Sequence, residues 1–152
     1  MASAEKKYLE NLFKSFLKSK GFRKKGASWR KDVDGFLQII NIQGSAYSKN
    51  FYVNLGVYIK DLGTLDWPAE YDCHIRIRLN SYCLNKGVLD LLNFEDYGVD
   101  EQPRKDLLNI LERDGFPWLE KCCSYIGAKE EYMLPNRIMT GHQRKVLDEY
   151  FA

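Results

Sequence analysis

The chain has 152 residues, of which 45% are hydrophobic and 29% are charged, as in an ordinary globular protein. A chain of this length can bury enough surface to fold as one domain over residues 1–152 without a metal or disulfides. No stretch approaches the ~20 apolar residues of a membrane span, and the first residues lack the apolar core of a secretory signal, so we expect a cytoplasmic protein that does not use a membrane.

The net charge of +2 conceals an uneven distribution along the chain. Residues 1–31 carry ten Lys or Arg against two Glu, a charge of +8, and the remainder carries −6. Such asymmetry can mark a surface for nucleic acid or for an acidic partner. It arises equally when a basic first helix is merely solvated or lies near acidic helices, and this second reading is the more common one.

A first helix is predicted from Ser3, which can cap it, to about Lys20. Its apolar residues recur at the spacing of one helical stripe: Leu9, Leu12, Phe13, Phe16 and Leu17. Lys20 suits the negative end of the helix dipole, and Gly21 supplies the expected stop.

A hairpin of two strands follows, over Phe22–Val33 and residues 36–45, joined by the turn Asp34-Gly35. The register that this turn imposes sets Trp29 opposite Ile40 and continues along both strands. One face of the hairpin then holds Trp29, Phe36, Ile40 and Ile42, and the other holds Ser28, Arg30, Leu37, Ile39, Asn41, Gln43 and Ser45.

Two further strands are predicted, separated by a loop. Residues 51–59 alternate apolar and other side chains with strict period two, which is the clearest strand signal in the chain. The stretch from Lys60 to Asp72 contains Gly63 and Pro68 and indicates a loop. In the fourth strand one side is apolar, with Cys73, Ile75, Ile77 and Leu79, and the other is polar, with His74, Arg76, Arg78 and Asn80.

From about Lys86 the periodicity becomes helical. Helices are predicted over residues 103–114, ending before Gly115, from Pro117 to about Ile126, and over residues 140–151. Strands first and helices later are typical of an α+β fold: an N-terminal helix, a four-stranded, mostly antiparallel sheet and a helical C-terminal half.

The sequence contains no P-loop, dinucleotide-binding glycine pattern, HExxH motif, nucleophile-elbow serine or EF-hand loop. Neither His74 nor His142 has a carboxylate or cysteine at metal-ligand spacing. The four cysteines show no CxxC spacing, and only one of Cys122 and Cys123 can face a core. We therefore expect reduced thiols, no metal and no cofactor.

The second face of the sheet gathers hydrogen-bonding side chains without a carboxylate in their midst. Its candidate binding residues are Arg30, Asn41, Gln43, Tyr52, Asn54, Tyr58, His74, Arg76 and Arg78, with Ser28, Ser45 and Asn80 beside them. One face of an antiparallel sheet is normally polar simply because it meets water. However, amides, phenols and arginines, in place of mixed Lys, Glu and Thr, resemble a recognition surface.

Several motifs occur together in the first half of the chain: Gly21-Phe22 followed by two basic residues, Trp29 before a short hairpin, a strand ending in Gln43-x-Ser45, the strand Phe51–Gly56, and the segment HIRIRL. In these motifs the chain resembles a bacterial family, the domain of unknown function number 4304. The resemblance covers about the first 80 residues and implies no activity. Similar small bacterial α+β domains often serve as immunity proteins that bind and block a toxin encoded beside them.

Three functions remain open, and we favour the first. It is a non-catalytic binding protein with a protein partner, of which an immunity protein is one kind. The second is binding of RNA or single-stranded nucleic acid through the basic N-terminal segment and the polar sheet face. The third is an enzyme acting on phosphate-bearing substrates with His74, Arg76 and Arg78. A basic toxin would instead suit the acidic side chains of the helical half: Asp90, Glu95, Asp96, Asp100 and Glu101.

Overall fold

The computed structural model describes residues 3–83, 87–135 and 139–152. Its strands are β1 (Arg23–Lys25), β2 (Ser28–Val33), β3 (Phe36–Gly44), β4 (Phe51–Ile59) and β5 (Ile75–Arg78). Its helices are α1 (Ala4–Ser19), α2 (Leu79–Tyr82), α3 (Val88–Leu91), α4 (Asp106–Ile110), α5 (Phe116–Lys121), α6 (Tyr125–Tyr132) and α7 (Gly141–Tyr150). The predicted change of periodicity at Lys86 lies outside the described residues.

The five strands form one antiparallel sheet in the order β1-β2-β3-β4-β5. The α+β class is therefore confirmed, whereas the prediction of four strands is wrong by one. The predicted first strand is divided because Gly26 adopts a φ of +61° and turns the chain between β1 and β2. This left-handed conformation costs glycine little, and it lets Lys25 pair with Ser28.

The predicted hairpin register is confirmed. Val33 pairs with Phe36 and Trp29 with Ile40. Asp34 and Gly35 both have positive φ, 37° and 87°, as the favoured two-residue hairpin turn requires. Because side chains alternate along a strand, this register decides which residues of β2 and β3 meet the core.

The main core lies between one sheet face and the helices. Helix α1 begins where Ser3 Oγ accepts a hydrogen bond from the Lys6 amide, and it buries the predicted stripe completely at Leu9, Phe13 and Leu17. The sheet contributes Trp29, Ile40, Ile42, Val53, Leu55, Val57, Ile59 and Ile75 to the same core, and the C-terminal helices contribute Leu107, Ile110, Trp118, Leu119 and Leu147.

Part of the opposite sheet face is also covered. The segment of residues 60–74 contains two short 3-10 turns, Lys60–Leu62 and Glu70–Asp72, and folds back over the sheet. A second buried cluster forms beneath it from Leu37, Ile39, Tyr58 and Cys73. The prediction that Cys73 shares a side with Ile75 is wrong, because β5 starts only at Ile75 and the preceding 3-10 turn directs Cys73 toward Gly56 on this second face.

The predicted fourth strand is also shorter than expected at its C-terminal end. β5 ends at Arg78, and Asn80 lies in α2 rather than on the polar face. The buried Asn80 side chain accepts from the Val53 amide and donates to the Phe51 carbonyl, at 3.1 and 3.0 Å. Asn80 therefore continues the hydrogen bonding of β4 beyond the end of β5.

The helical half differs from the prediction at Gly115. The helix does not end there. It continues from α4 through a π-helical segment, Leu111–Gly115, into α5. Gly115 is buried, and a β-carbon at this position would lie 3.2 Å from Leu111 Cδ2 and 3.4 Å from Leu55 Cδ1. The glycine thus allows close packing on β4 instead of ending the helix.

Helix α5 ends at Lys121, earlier than predicted, and Ser124 caps the new helix α6 by accepting a hydrogen bond from the Gly127 amide. The last predicted helix is confirmed as α7, which begins with reciprocal capping between Thr140 and Gln143. None of the described helices combines the length and apolar character needed to cross a membrane.

Candidate functional site

A row of polar side chains crosses the second sheet face, one from each strand. The register sets its members directly opposite one another, and we call them the cross-strand row: Lys25, Ser28, Asn41, Asn54 and Arg78. Gln43 and Tyr52 form the next opposed pair, on β3 and β4. Residues opposed in an antiparallel sheet point to the same face, so these side chains share one surface.

Hydrogen bonds connect most of the cross-strand row. Asn41 Nδ2 donates to Ser28 Oγ at 3.0 Å, and Asn54 Nδ2 donates to Asn41 Oδ1 at 3.2 Å. Asn54 Nδ2 also donates to Gln43 Oε1 at 2.9 Å. The buried Asn54 therefore turns its carbonyl oxygen toward Arg78.

Arg78 is fixed by these amides. Its Nε donates to Asn54 Oδ1 at 3.0 Å and its Nη2 to Gln43 Oε1 at 3.2 Å, while its guanidinium carbon lies 4.0 Å from the centre of the Tyr52 ring. Within residues 3–83, 87–135 and 139–152, no carboxylate forms an ion pair with Arg78. Arg78 is thus an exposed, oriented cation held by neutral acceptors, which is an arrangement suited to binding an anion.

The remaining four candidate residues lie at the segment 60–74. Arg30 is only 6% exposed, donates to the Asp66 carbonyl through Nη1, and has its guanidinium carbon 5.5 Å from the Trp67 ring centre. The hydroxyl of the buried Tyr58 accepts a hydrogen bond from the Leu65 amide at 3.2 Å. The segment 60–74 therefore removes Arg30 and Tyr58 from the open part of the face.

His74 and Arg76 are likewise engaged within the protein. His74 Nδ1 accepts from the Ile59 amide at 2.9 Å, and burial lowers the pKa of His74 to about 4, so the ring is neutral at physiological pH. Arg76 donates through Nε and Nη2 to the two carboxylate oxygens of the buried Glu70, at 2.9 and 3.1 Å. This hydrogen bonding raises the pKa of Arg76.

The structure thus divides the nine predicted site residues into two groups. Asn41, Gln43, Tyr52, Asn54 and Arg78 form one connected network on the open part of the face, whereas Arg30, Tyr58, His74 and Arg76 are in contact with residues from the segment 60–74 or the adjoining strand end. Glu70 and Trp67 could not be assigned to this face from the sequence, because a loop pattern does not reveal which strand the loop covers.

A groove of about 600 Å³ adjoins Arg78 along β5. Apolar side chains from β5, α2 and the region between α6 and α7 line part of it, among them Ile77, Tyr82, Leu134 and Met139. Gln143 adds an amide to the lining. An apolar side chain can therefore enter the groove while an attached or neighbouring anion meets Arg78.

A separate surface of the helical half is acidic. Its members are all exposed, as the sequence suggested: Asp90, Glu95, Asp96, Asp100 and Glu101. Within the described part of the chain, no group of three or more His, Cys, Asp or Glu side chains could hold a metal ion.

The fold and the face define a class of protein: an α+β domain whose five-stranded antiparallel sheet has one face in the core and one face partly open. Residues 13–121 match the family model described as a domain of unknown function (DUF4304), which is more than two-thirds of the chain. The chain therefore belongs to the DUF4304 family, and the match extends the sequence resemblance into the helical half. Comparison with curated proteins found no match, and neither did comparison with solved structures.

Proposed function

We propose that this chain is a non-catalytic binding protein of the bacterial cytoplasm that recognises an acidic segment of a partner protein. The observation that carries the proposal is the state of Arg78: the amides of Gln43 and Asn54 orient it, Tyr52 supports it, and no carboxylate of the described residues pairs with it. An arginine held in this way has already lost most of its side-chain freedom, so binding an anion costs less conformational entropy.

A protein carboxylate fits these surroundings better than an isolated small anion does. The guanidinium presents a planar fork that matches a carboxylate, and the exposed Gln43 amide beside it can bond a peptide group. The adjoining groove offers apolar surface at Ile77 and Met139. Together they suit a chain segment that carries an acidic residue next to an apolar one.

The nucleic-acid alternative has less support in the geometry. Helix α1, which carries four of the ten basic residues of the N-terminal segment, packs on the core face, opposite to Tyr52 and Tyr58. Tyr58 is only 4% exposed, and the Arg78 guanidinium covers one side of the Tyr52 ring. Tyr52 and Tyr58 therefore do not offer a pair of open rings on which bases could stack.

An immunity protein is the particular kind of binding protein that we propose, with a bacterial toxin as the partner. Such a protein needs a complementary surface and no catalytic residues, and a standard interface takes about 800 Å² from each partner. The open face suits a toxin with an acidic contact surface. The four cysteines, all among the described residues, are thiols rather than disulfides, which agrees with a reducing compartment such as the cytoplasm.

The test is calorimetric titration of the chain with the purified product of the adjacent gene. We expect a Kd tighter than micromolar, weakened about 10- to 100-fold by Arg78→Ala, because hydrogen bonds to a charged group contribute about 1.5–3 kcal/mol. Arg78→Lys should keep part of the affinity, because a lysine supplies the charge without the planar fork. Arg23→Ala, which removes an exposed cation from the same face at β1, is the matched control.

Three results would overturn the proposal. One is the absence of binding tighter than micromolar, and another is affinity that Arg78→Ala leaves unchanged. The last is binding to single-stranded oligouridylate with a steep salt dependence, which would support the nucleic-acid alternative instead. If Asp96→Asn and Glu101→Gln weaken binding and Arg78→Ala does not, the acidic surface is the interface and the partner is basic.

A further inference from the structure

Helix α6 has an unusual distribution of side chains. Its buried residues are Gly127, Ala128, Glu131 and Tyr132, of which one is a carboxylate and two are small. Large apolar side chains on and just after α6 are instead exposed: Tyr125 by 41%, Ile126 by 71%, Met133 by 59% and Leu134 by 51%. A helix that buries a glutamate and exposes isoleucine and methionine has the pattern of an element with a second interface.

The exposed side of α6 also carries charged residues on both sides of an apolar line. Ile126 and Met133 are two turns apart and form a central apolar line, while Lys129 and Glu130 lie on opposite flanks of that line. Tyr125 and Leu134 form the outer edges of the same shallow groove, which measures about 520 Å³. The surface therefore has an apolar centre and a positive flank at Lys129. On the opposite flank Lys121 Nζ lies 3.7 Å from Glu130 Oε2 and 3.6 Å from Glu131 Oε2, so these three side chains together keep one net negative charge.

We propose that this side of α6 binds the same side of α6 in a second copy of the chain, with the two helices parallel and a twofold axis between them. A twofold axis of this kind exchanges the flanks, so Lys129 of each copy faces Glu130 of the other. Ile126 and Met133 then pack against their own counterparts. An antiparallel pair would instead place Lys129 against Lys129, which is unfavourable.

The self-complementary pattern is the reason for choosing a second copy as the occupant. A strongly acidic or basic partner would leave one of the two flanks in repulsion, whereas two copies satisfy both flanks with the same two residues. One helix side offers less than the ~800 Å² per partner of a standard interface, so the dimer is weak and depends on concentration. The surface lies beyond residues 13–121, and it does not involve Arg78.

The experiment is sedimentation velocity over a range of concentrations. The unmodified chain should pass from 17.8 kDa toward twice that mass as its concentration rises. Lys129→Glu alone and Glu130→Lys alone should each weaken the dimer about tenfold, because each creates two repulsive contacts in place of two attractive ones. An equimolar mixture of these two variants should dimerise again, since each Glu of one then faces a Lys of the other.

Two substitutions test the apolar centre. Ile126→Lys should abolish the dimer without unfolding the chain, because the replaced side chain is exposed. Leu89→Lys, at a 50% exposed site on α3, is the matched control and should leave the dimer intact. A chain that stays monomeric throughout, a dimer that survives Ile126→Lys, or a mixture of the charge variants that stays monomeric would overturn the proposal.

Discussion

Gly56 on β4 lies directly beneath Cys73, so closely that a β-carbon at position 56 would be 2.7 Å from Cys73 Sγ and 2.8 Å from Cys73 Cβ. This contact is where the segment 60–74 meets the sheet. It closes the second buried cluster over Leu37 and Ile39 and leaves the side of the face that holds Arg78 open. The position of one glycine thus helps to divide the polar face into a covered and an open part.

Gly56→Ala should therefore destabilise the protein. The added methyl group meets Cys73 at a distance that real contacts do not reach, so the segment 60–74 must shift, at a cost of about 1–3 kcal/mol. Thermal unfolding followed by circular dichroism measures this loss as a lower Tm. Gly44→Ala is the control, because a β-carbon there would lie at an ordinary 3.5 Å from the Phe51 ring. Equal melting temperatures for the two variants would contradict the contact.

Arg104 should be essential for the stability of the helical half. It is 1% exposed, and its guanidinium donates to the carbonyls of Leu91, Asn93, Tyr97, Gly98 and Val99. Arg104→Met leaves these carbonyls without their donor, and we expect the free energy of unfolding to fall by about 3 kcal/mol or more in urea titrations. Arg113→Met, at an exposed position, should change it little; similar losses for both would argue against this role.

His74 should make stability depend on pH in a defined window. Its pKa is about 4 in the folded protein against an ordinary 6.5, so between these pH values the unfolded chain binds more protons than the folded one. The free energy of unfolding should therefore fall as the pH is lowered from 6.5 to 4, and this group should contribute no further loss below pH 4. The expected loss is about 2 kcal/mol, less than the full shift because part of the ring meets water.

Urea titrations of His74→Asn across that window measure the contribution of His74. An asparagine side chain can accept a hydrogen bond from the Ile59 amide but does not titrate in this range. The difference in unfolding free energy between this variant and the unmodified chain should therefore change with pH. His142→Asn, at an exposed site on α7, provides the reference. Parallel stability profiles for the unmodified chain and His74→Asn would show that His74 does not titrate as expected.

Gln43→Glu should weaken anion binding at Arg78 without altering the shape of the site. The substitution is nearly isosteric and places a carboxylate where Gln43 Oε1 now accepts from Arg78. The guanidinium then has an internal counter-charge, and we expect binding of the acidic partner to weaken at least about tenfold in calorimetric titration. Arg23→Gln is the control, because it changes the net charge by the same amount at the far edge of the sheet. An equal effect from both variants would show that the weaker binding comes from the change in net charge and not from the site at Arg78.

Three local elements could be predicted from the sequence alone. The stripe of α1, the hairpin turn at Asp34-Gly35 and the alternation of β4 were all predicted and confirmed. Gly26 and Gly115 were misjudged for the same reason: a glycine can turn the chain, end a helix or permit a close contact. Which of these it does depends on its neighbours in space, such as Leu55 beside Gly115.

The amino-acid sequence alone determined the α+β class, the register of the β2-β3 hairpin and, apart from Asn80, the polar residues assigned to the second face, because each depends on the pattern of neighbours along the chain. The tertiary structure decided which of those residues are open. Only the fold-back of residues 60–74 engages Tyr58 and Arg76, and only the alignment of β3, β4 and β5 brings Gln43, Asn54 and Arg78 together. Such contacts join residues distant in sequence, and a pattern of side chains along one strand does not specify them.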